Sequence, residues 1–239
     1  MKTYMMGGAL AGLMLLAAPS FAQAPTPAIT AAVADAGRTE ADRAVDEMRK
    51  PAETIAFAGI KPGDKIAELN PGGGYFTRIF SKLVGPSGKV YTFAAPRPNA
   101  PPPTAPAGTN ATPLSAPLVD FATPEPVDVV WTSRNYHDFQ NGLGADIVAF
   151  NRKVFAALKP GGTYIVLDHA AAADAPDNVT STLHRAKEAT VRQQVEAAGF
   201  RFVASGTVLR NPADNKGARV MEQDVRGKTD QFILKFQKP

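Results

Sequence analysis

Two spacings of apolar residues alternate along most of the chain. Short apolar runs rich in β-branched and aromatic residues, typical of buried strands, occupy residues 65–69, 89–94, 127–132, 163–168, 202–209 and 231–236. Apolar residues recur every three or four positions, the spacing of amphipathic helices, in residues 75–84, 145–158 and 181–198. Strands that alternate with helices predict a mostly parallel sheet covered by helices.

The residues before this alternation predict further helices. Thr39 and Asp42 have the spacing of an N-cap and of the acidic residue that completes a capping box. Pro51 suits the first position of another helix. The predicted organisation is a linker with helices over residues 23–60, followed by an α/β domain over residues 61–239.

Two segments interrupt the pattern. Residues 96–126 hold 10 of the 21 prolines, which predicts an extended loop with one short edge strand near Leu118. Residues 211–229 are polar, and they predict a loop between the last two strands. Trp131 lies within a predicted strand, so we expect it in the core.

Residues 1–22 have the three parts of a secretory signal peptide. Lys2 supplies a positive charge, and residues 5–18 form an apolar stretch too short to cross a bilayer comfortably. Ser20 and Ala22 place small residues at a cleavage site. The sequence therefore predicts cleavage after Ala22, a periplasmic or secreted protein, and no stable membrane insertion after cleavage.

Composition narrows the chemistry of the chain. None of the 239 residues is cysteine, which excludes zinc ribbons, iron–sulfur clusters, thiol nucleophiles and disulfides. The formal charge of +4 comes from 26 basic and 22 acidic residues that are dispersed along the chain, so no nucleic-acid partner is predicted. Metal or acid–base chemistry must therefore use histidines and carboxylates.

A glycine-rich loop joins the first predicted strand to the first amphipathic helix. An acidic residue ends the strand, and the residues of this segment are Glu68, Asn70, Pro71, Gly72, Gly73, Gly74 and Tyr75, with Leu69 between the first two. Glycines let a ligand approach the backbone, and the start of the helix offers free amides and a positive dipole end. The segment therefore predicts a ligand site.

With these residues the chain resembles the class I S-adenosylmethionine-dependent methyltransferases. Their first motif reads acid-x-Gly-x-Gly-x-Gly, which Glu68, Gly72 and Gly74 match, while Asn70 replaces the first glycine. The family's Leu-Lys-Pro-Gly-Gly turn corresponds to residues 158–162, and its Ala-Gly-Phe sequence recurs later in the chain. The resemblance implies a Rossmann-like fold: a seven-stranded, mostly parallel sheet with an antiparallel last strand and helices on both faces.

A narrower resemblance is to a secreted bacterial branch of these methyltransferases. It is carried by short segments along the chain, namely residues 49–51, 135–138, 168–170, 184–185 and 227–232. Of the first segment, we expect Arg49 and Lys50 to be solvated rather than part of the site.

The resemblance also implies roles for individual residues. S-adenosylmethionine is the expected cofactor and the partner is an unknown methyl acceptor. Glu68 and the loop from Asn70 to Gly74, with Tyr75, would hold the methionine and ribose end. Asp120 would lie near the adenine, and Asn135 would contact the cofactor. Three residues would act at the acceptor as catalytic groups: Tyr136, His137 and Asp138.

The chain departs from the family at the end of the second strand. Residues 90–95 contain no acid to hold the ribose hydroxyls. A ligand group left without a partner on burial costs about 1–3 kcal/mol. This departure favours an alternative, in which a periplasmic binding protein keeps the fold and has lost catalysis.

All three histidines follow predicted strands. His137 follows the strand over residues 127–132, His169 comes directly after the strand over residues 163–168, and His184 lies 15 residues further on. Because the carboxyl ends of parallel strands border the ligand crevice, we expect these side chains at one edge. Asp168, beside His169, and Arg185, beside His184, are expected to support the site or contact the substrate.

Three interpretations of the histidines stay open at this point. His137 suits a general base, because an imidazole titrates near neutral pH. The histidines with Asp138 or Asp168 could instead bind a divalent metal in a metal-dependent enzyme. They could also only cap loops and satisfy backbone groups. We prefer the first interpretation, with His137 as a catalytic group, and assign no residue as a metal ligand.

Overall fold

The computed structural model describes residues 23–99 and 101–239, so the predicted signal peptide lies outside the described residues. Its seven strands are β1 (Lys65–Leu69), β2 (Lys89–Ala94), β3 (Ala111–Ser115), β4 (Val127–Ser133), β5 (Leu158–His169), β6 (Arg201–Gly206) and β7 (Gln231–Gln237). They form one sheet in the order β3-β2-β1-β4-β5-β7-β6. Only β7 runs antiparallel to its neighbours. The predicted mostly parallel sheet is confirmed.

Helices cover both faces of the sheet. They are α1 (Pro27–Val33), α2 (Glu40–Arg43), α3 (Asp46–Arg49), α4 (Pro51–Ala58), α5 (Tyr75–Val84), α6 (Tyr136–Leu143), α7 (Ile147–Ala157), α8 (Val179–Leu183) and α9 (Glu188–Glu196). Buried side chains of α1, α4 and α5 form the core on one face. Those of α6, α7 and α9 form the core on the other. None of the described helices is both long and apolar enough to cross a membrane.

Helix α5 shows how the pattern positions the glycine loop. Its buried residues include Phe76, Phe80 and Leu83 at helical spacing. Trp131 of β4 packs against the rings of Phe76 and Phe80, with centroid distances of 4.9 and 5.2 Å. The helix therefore lies flat on the sheet, with its first residue at the carboxyl end of β1.

The predicted edge strand near Leu118 is wrong. The edge strand is β3, which pairs with β2 although it contains Pro113. Proline is tolerated there because an edge strand has a partner on one side only. Residues Leu118–Asp120 instead form a turn of 3-10 helix.

The continuous helix predicted over residues 181–198 is also wrong. His184 adopts a left-handed backbone conformation, with φ +54°, and it ends α8. Ala186 then pairs with Ala170 beyond the end of β5, before α9 begins. The periodicity could not reveal this return to the sheet. Helix α6, which no apolar spacing predicted, contains Gly142 and ends at Leu143, with Gly144 as its C-cap.

The N-terminal helices share a core with the sheet. Ile29, Ile55 and Phe57 belong to the same buried cluster as Ile66 of β1 and Ile165 of β5. Burying each such side chain stabilises a fold by about 1.5–3 kcal/mol. Residues 27–58 are thus expected to contribute an amount comparable to the whole net stability of a domain, about 5–15 kcal/mol.

We predict that a chain beginning at residue 61 does not unfold cooperatively in urea, whereas a chain beginning at residue 23 does. Removing the N-terminal helices would expose apolar residues of β1 and α5. Circular dichroism and tryptophan fluorescence of Trp131 would measure both chains. An unchanged urea midpoint in the shorter chain would contradict the shared core.

Candidate functional site

The candidate site lies where β1, β4 and β5 end. The chain leaves β1 toward β2 and β3 on one side and continues to β4 and β5 on the other. Ligand crevices of open α/β sheets form at such a reversal, outside the carboxyl ends of the strands. The glycine loop follows β1, the segment from Arg134 to Asp138 follows β4, and residues 168–169 are the last two of β5.

The glycine loop curves away from β1 through left-handed residues. Asn70, Gly72 and Gly74 have φ values of +50°, +58° and +80°. A side chain at Gly74 would collide with the ring of Pro106. Gly73 differs, because its φ is not positive and a Cβ placed on it would meet nothing within 4 Å. Folding does not require glycine at this position, which borders open space.

Glu68, at the end of β1, is hydrogen-bonded to the helix that follows the loop. Its side chain is buried, and Oε2 accepts a hydrogen bond of 2.6 Å from the Thr77 hydroxyl of α5. Burial raises the pKa of Glu68 to about 8. At neutral pH the group is therefore mainly a neutral carboxylic acid that fastens β1 to α5.

The N-terminal helices hold Tyr75, the first residue of α5. The Tyr75 hydroxyl donates a hydrogen bond of 2.5 Å to Asp46. Arg38 donates two hydrogen bonds to the same carboxylate, of 2.8 and 2.5 Å. The guanidinium of Arg49 lies over the Tyr75 ring, 4.3 Å from its centroid. Tyr75 is thus fixed by its ring and by its hydroxyl.

A second ion pair fixes the glycine loop itself. Arg78 of α5 forms two hydrogen bonds with Asp42, of 2.5 and 2.8 Å. The same guanidinium donates to the carbonyl oxygen of Gly73 at 2.8 Å. From the other side, Asn135 donates to the carbonyl oxygen of Asn70 at 3.2 Å. Pro71 lies inside this doubly anchored loop.

Two arginines near the loop lack anionic partners. Among the described residues, no carboxylate lies within 4 Å of Arg49 or Arg134, and neither guanidinium donates a hydrogen bond. Burial, followed by the charge of Arg49, lowers the pKa of Arg134 to about 10. The expectation that Arg49 is solvated is wrong, because it is partly buried against Tyr75. Sequence spacing could not show this, since Arg49 and Tyr75 come together only through the fold.

Asp168 and His137 form the centre of the histidine cluster. Asp168 is fully buried. Its carboxylate accepts hydrogen bonds from the backbone amides of His137 and His169, both of 2.8 Å. His137 Nδ1 lies 2.9 and 3.1 Å from the two oxygens. Burial opposes ionisation of Asp168, but the charge and hydrogen bonds of His137 outweigh it and lower the pKa of Asp168.

The ionised Asp168 sets the tautomer of His137. A carboxylate only accepts hydrogen bonds, so Nδ1 of His137 carries a proton. Burial acts to lower the pKa of His137, but the charge and hydrogen bond of Asp168 outweigh it and raise that pKa. Once the ring is neutral, Nε2 holds a free lone pair. This atom lies 3.4 Å from Oδ1 of Asp138, on the side where the Asp138 carboxylate is exposed.

His184 returns to the same place from a distant part of the sequence. Its Nδ1 lies 3.9 Å from Oδ1 of Asp138, and its ring centroid is 5.4 Å from that of His137. The amide of Ala186 donates to the carbonyl oxygen of His169 at 2.9 Å, which brings the chain back after α8. The structure therefore brings together His137, Asp138 and His184.

His169 lies on the buried side of the cluster. Its Nδ1 is 2.7 Å from the Thr229 hydroxyl. Burial lowers the pKa of His169 to about 3, so the ring is neutral at physiological pH. Thr229 belongs to the loop between β6 and β7, and sequence analysis did not identify it as a site residue.

Arg185 fixes this loop instead of facing the crevice. Its guanidinium is fully buried and forms hydrogen bonds of 2.7 and 3.2 Å with Asp214. It also donates to the carbonyl oxygens of Ala170 and Ala218, both at 3.0 Å. Arg185 therefore fastens residues 211–229 to the end of β5.

Two further residues from the sequence analysis lie apart from the histidines. Tyr136 is buried, and its hydroxyl accepts a hydrogen bond of 2.8 Å from Asn151 of α7. Successive helical side chains point in different directions, which turns Tyr136 inward and exposes Asp138. Asp120 is exposed on the 3-10 turn, where it lines a cavity with Lys153 of α7.

Solved structures share this architecture. A methyltransferase from Aquifex aeolicus, described as S-adenosylmethionine dependent, is 17% identical, with a TM-score of 0.54 over 82% of this chain and 98% of that one. A putative methyltransferase from Bacillus halodurans is 15% identical, with a TM-score of 0.54 over 81% and 99%. The chain has a Rossmann-like fold of the kind found in these methyltransferases.

The methyltransferase fold by itself does not define the reaction. The [4+2]-cyclase SpnF is similar to the same extent, at 15% identity and a TM-score of 0.54 over 93% of this chain and 98% of that one. No protein-family model and no curated protein matches the chain. Function must therefore be argued from the site.

We predict that Glu68→Gln removes the contribution of this carboxyl group to the pH dependence of the free energy of unfolding. The folded pKa of about 8 exceeds the ordinary glutamate pKa of 4.5. Between these values only the folded state keeps the proton, so stability falls by about 1.4 kcal/mol per pH unit. Relative to the unaltered chain, the variant should gain stability from pH 5 to pH 8 and then level off.

Urea unfolding at several pH values would measure this difference. The exposed Glu53→Gln, which makes the same chemical change at the surface of α4, serves as the control. Parallel stability curves for Glu68→Gln and the unaltered chain would show that Glu68 is ionised in the folded state.

Proposed function

We propose that the protein binds S-adenosylmethionine at the glycine loop and transfers its methyl group to an acceptor held beside His137. The observation that carries the proposal is the open space around Gly73. Neither backbone conformation nor packing requires glycine there, whereas a ligand that approaches the backbone does. The methyltransferase fold of the structural neighbours supports the same cofactor.

The site fits the methionine end of this cofactor. Its carboxylate would bind Arg49 and Arg134, whose guanidinium groups have no carboxylate partner among the described residues. Bonds between an arginine and a carboxylate are charge-assisted and frequently bidentate. The backbone of the loop from Asn70 to Gly74 would contact the remainder of the amino-acid group.

The ribose end fits less well. Strand β2 ends at Ala94, and Ala95 and Pro96 follow. None of these side chains can accept hydrogen bonds from the ribose hydroxyls. This observation favours a second candidate function, a binding protein that has the methyltransferase fold and has lost catalysis.

At the acceptor side the chain offers an oriented base. S-adenosylmethionine supplies an electrophilic methyl group when it is bound. Asp168 holds the His137 ring so that Nε2 faces the open side of the cluster, and there it can take a proton from an acceptor hydroxyl or amine. Methyl transfer needs mainly proximity and alignment, so one such base suffices.

The proposed site of action is outside the cytoplasm. The signal peptide predicted from residues 1–22 supports export to the periplasm or beyond the cell. The cofactor would then have to reach the protein outside the cytoplasm, or the protein would act as the second candidate function describes.

We predict that calorimetry shows saturable binding of S-adenosylmethionine and S-adenosylhomocysteine to the chain from residue 23. Gly73→Val should weaken the binding of both ligands by at least about tenfold, or 1.4 kcal/mol, because a branched side chain would fill the space above the loop. Gly73 tests the site better than Gly72, whose φ of +58° would strain any side chain.

Gly142→Val is the matched control, since this glycine also has open space around it and no positive φ. Its affinity should equal that of the unaltered chain. No binding up to millimolar ligand, or equal affinity of Gly73→Val, would contradict the proposal. Binding without methylation of any acceptor would support the second candidate function.

We predict further that Arg49→Met weakens S-adenosylhomocysteine binding by about 10–150-fold, since a hydrogen bond to a charged group contributes about 1.5–3 kcal/mol. Methylthioadenosine lacks the amino-acid carboxylate, so its affinity should not change. Arg43→Met, at an exposed arginine of α2, is the control. An equal loss for both ligands would indicate that Arg49 acts only through packing on Tyr75.

A further inference from the structure

Three potential ligand atoms converge at the open side of the histidine cluster. His137 Nε2 and His184 Nδ1 lie 3.4 and 3.9 Å from Oδ1 of Asp138. All three atoms lie within 4.8 Å of one another. A zinc ion bonds imidazole nitrogen and carboxylate oxygen at about 2.0–2.2 Å, which separates its ligands by roughly 3–3.5 Å. A small contraction of the three side chains would place one ion at their centre.

The hydrogen bond that orients His137 is of the kind found around metal-binding histidines. Asp168 accepts the hydrogen bond from Nδ1 and turns Nε2 toward the cluster. A carboxylate that binds the second nitrogen of a histidine commonly fixes the ring for a metal ion. The backbone amides of His137 and His169 in turn fix Asp168.

The cluster is accessible on one side. The side chains of Asp138 and His184 are 52% and 28% exposed, whereas His137 is buried. A site with three protein ligands and an open side leaves positions for water or another ligand, as catalytic rather than structural metal sites do. His184 is held in a left-handed conformation, which costs energy and recurs at functional sites.

We propose that His137, Asp138 and His184 bind a divalent transition-metal ion. Two imidazoles and one carboxylate suit zinc and its neighbours in the first row, whereas magnesium and calcium prefer sites made of oxygen atoms alone. The ion would contact the acceptor and lower the pKa of its hydroxyl. With the ion bound, His137 is a ligand and not the base.

Arg219 opposes the ion in the present arrangement. Its guanidinium lies 2.8 Å from Nε2 of His184 and donates to that atom, which places the proton of the neutral ring on Nδ1. Binding through Nδ1 moves this proton to Nε2 and displaces the arginine. The proposal therefore implies that removal of Arg219 strengthens metal binding.

The test is calorimetric titration of Zn²⁺ into chelator-treated chain from residue 23 without a histidine tag. We expect one equivalent to bind with micromolar or tighter affinity, and Mg²⁺ not to compete. His184→Ala and Asp138→Asn should each weaken Zn²⁺ by at least roughly tenfold, and Arg219→Gln should strengthen it. Asp177→Asn, which changes an exposed aspartate outside the cluster, should leave the affinity unaltered.

Three results would overturn the proposed metal site. These are no stoichiometric Zn²⁺ binding, equal affinity in His184→Ala and Asp138→Asn, or weaker binding in Arg219→Gln. Both ligand variants change side chains that are at least partly exposed, and circular dichroism would check that the variants fold. The titration needs no S-adenosylmethionine, so its failure is distinct from failure of the proposed methyltransferase function.

Discussion

The buried carboxylate of Asp168 is the interaction on which the site depends. Burial disfavours its charge, yet its pKa is lowered because His137 and two backbone amides stabilise the ionised form. One group thereby joins the end of β5 to the start of α6 and sets the tautomer of His137. Loss of a partner from a buried charge costs several kcal/mol, so stability and site geometry are linked at this residue.

The same edge of the sheet has a second half that is organised by opposite charges. Asp42 and Asp46 of the N-terminal helices pair with Arg78 and Arg38 and so hold the glycine loop and Tyr75. All of these charges are compensated. Arg49 and Arg134 remain without anionic partners among the described residues, which is why this half suits an anionic ligand group while the half around Asp168 suits an acceptor or a cation.

Sequence patterns predicted much of the fold and less of the site. Strands β1 and β2 and helix α5 follow the predicted bounds because their apolar residues have one clear spacing. Local patterns cannot show contacts between distant segments. The return of His184 to the cluster depends on pairing of Ala186 with Ala170. The position of Arg49 depends on stacking of its guanidinium over the Tyr75 ring. Glu68 was found from its motif, but its burial beneath α5 was not.

The most direct measurement is a crystal structure of the chain with S-adenosylhomocysteine. We expect the ligand to lie over Gly73, with its carboxylate on Arg49 and Arg134 and its sulfur directed toward the side of His137. A ligand bound elsewhere, or one whose carboxylate faces solvent while both arginines keep their present positions, would contradict the account.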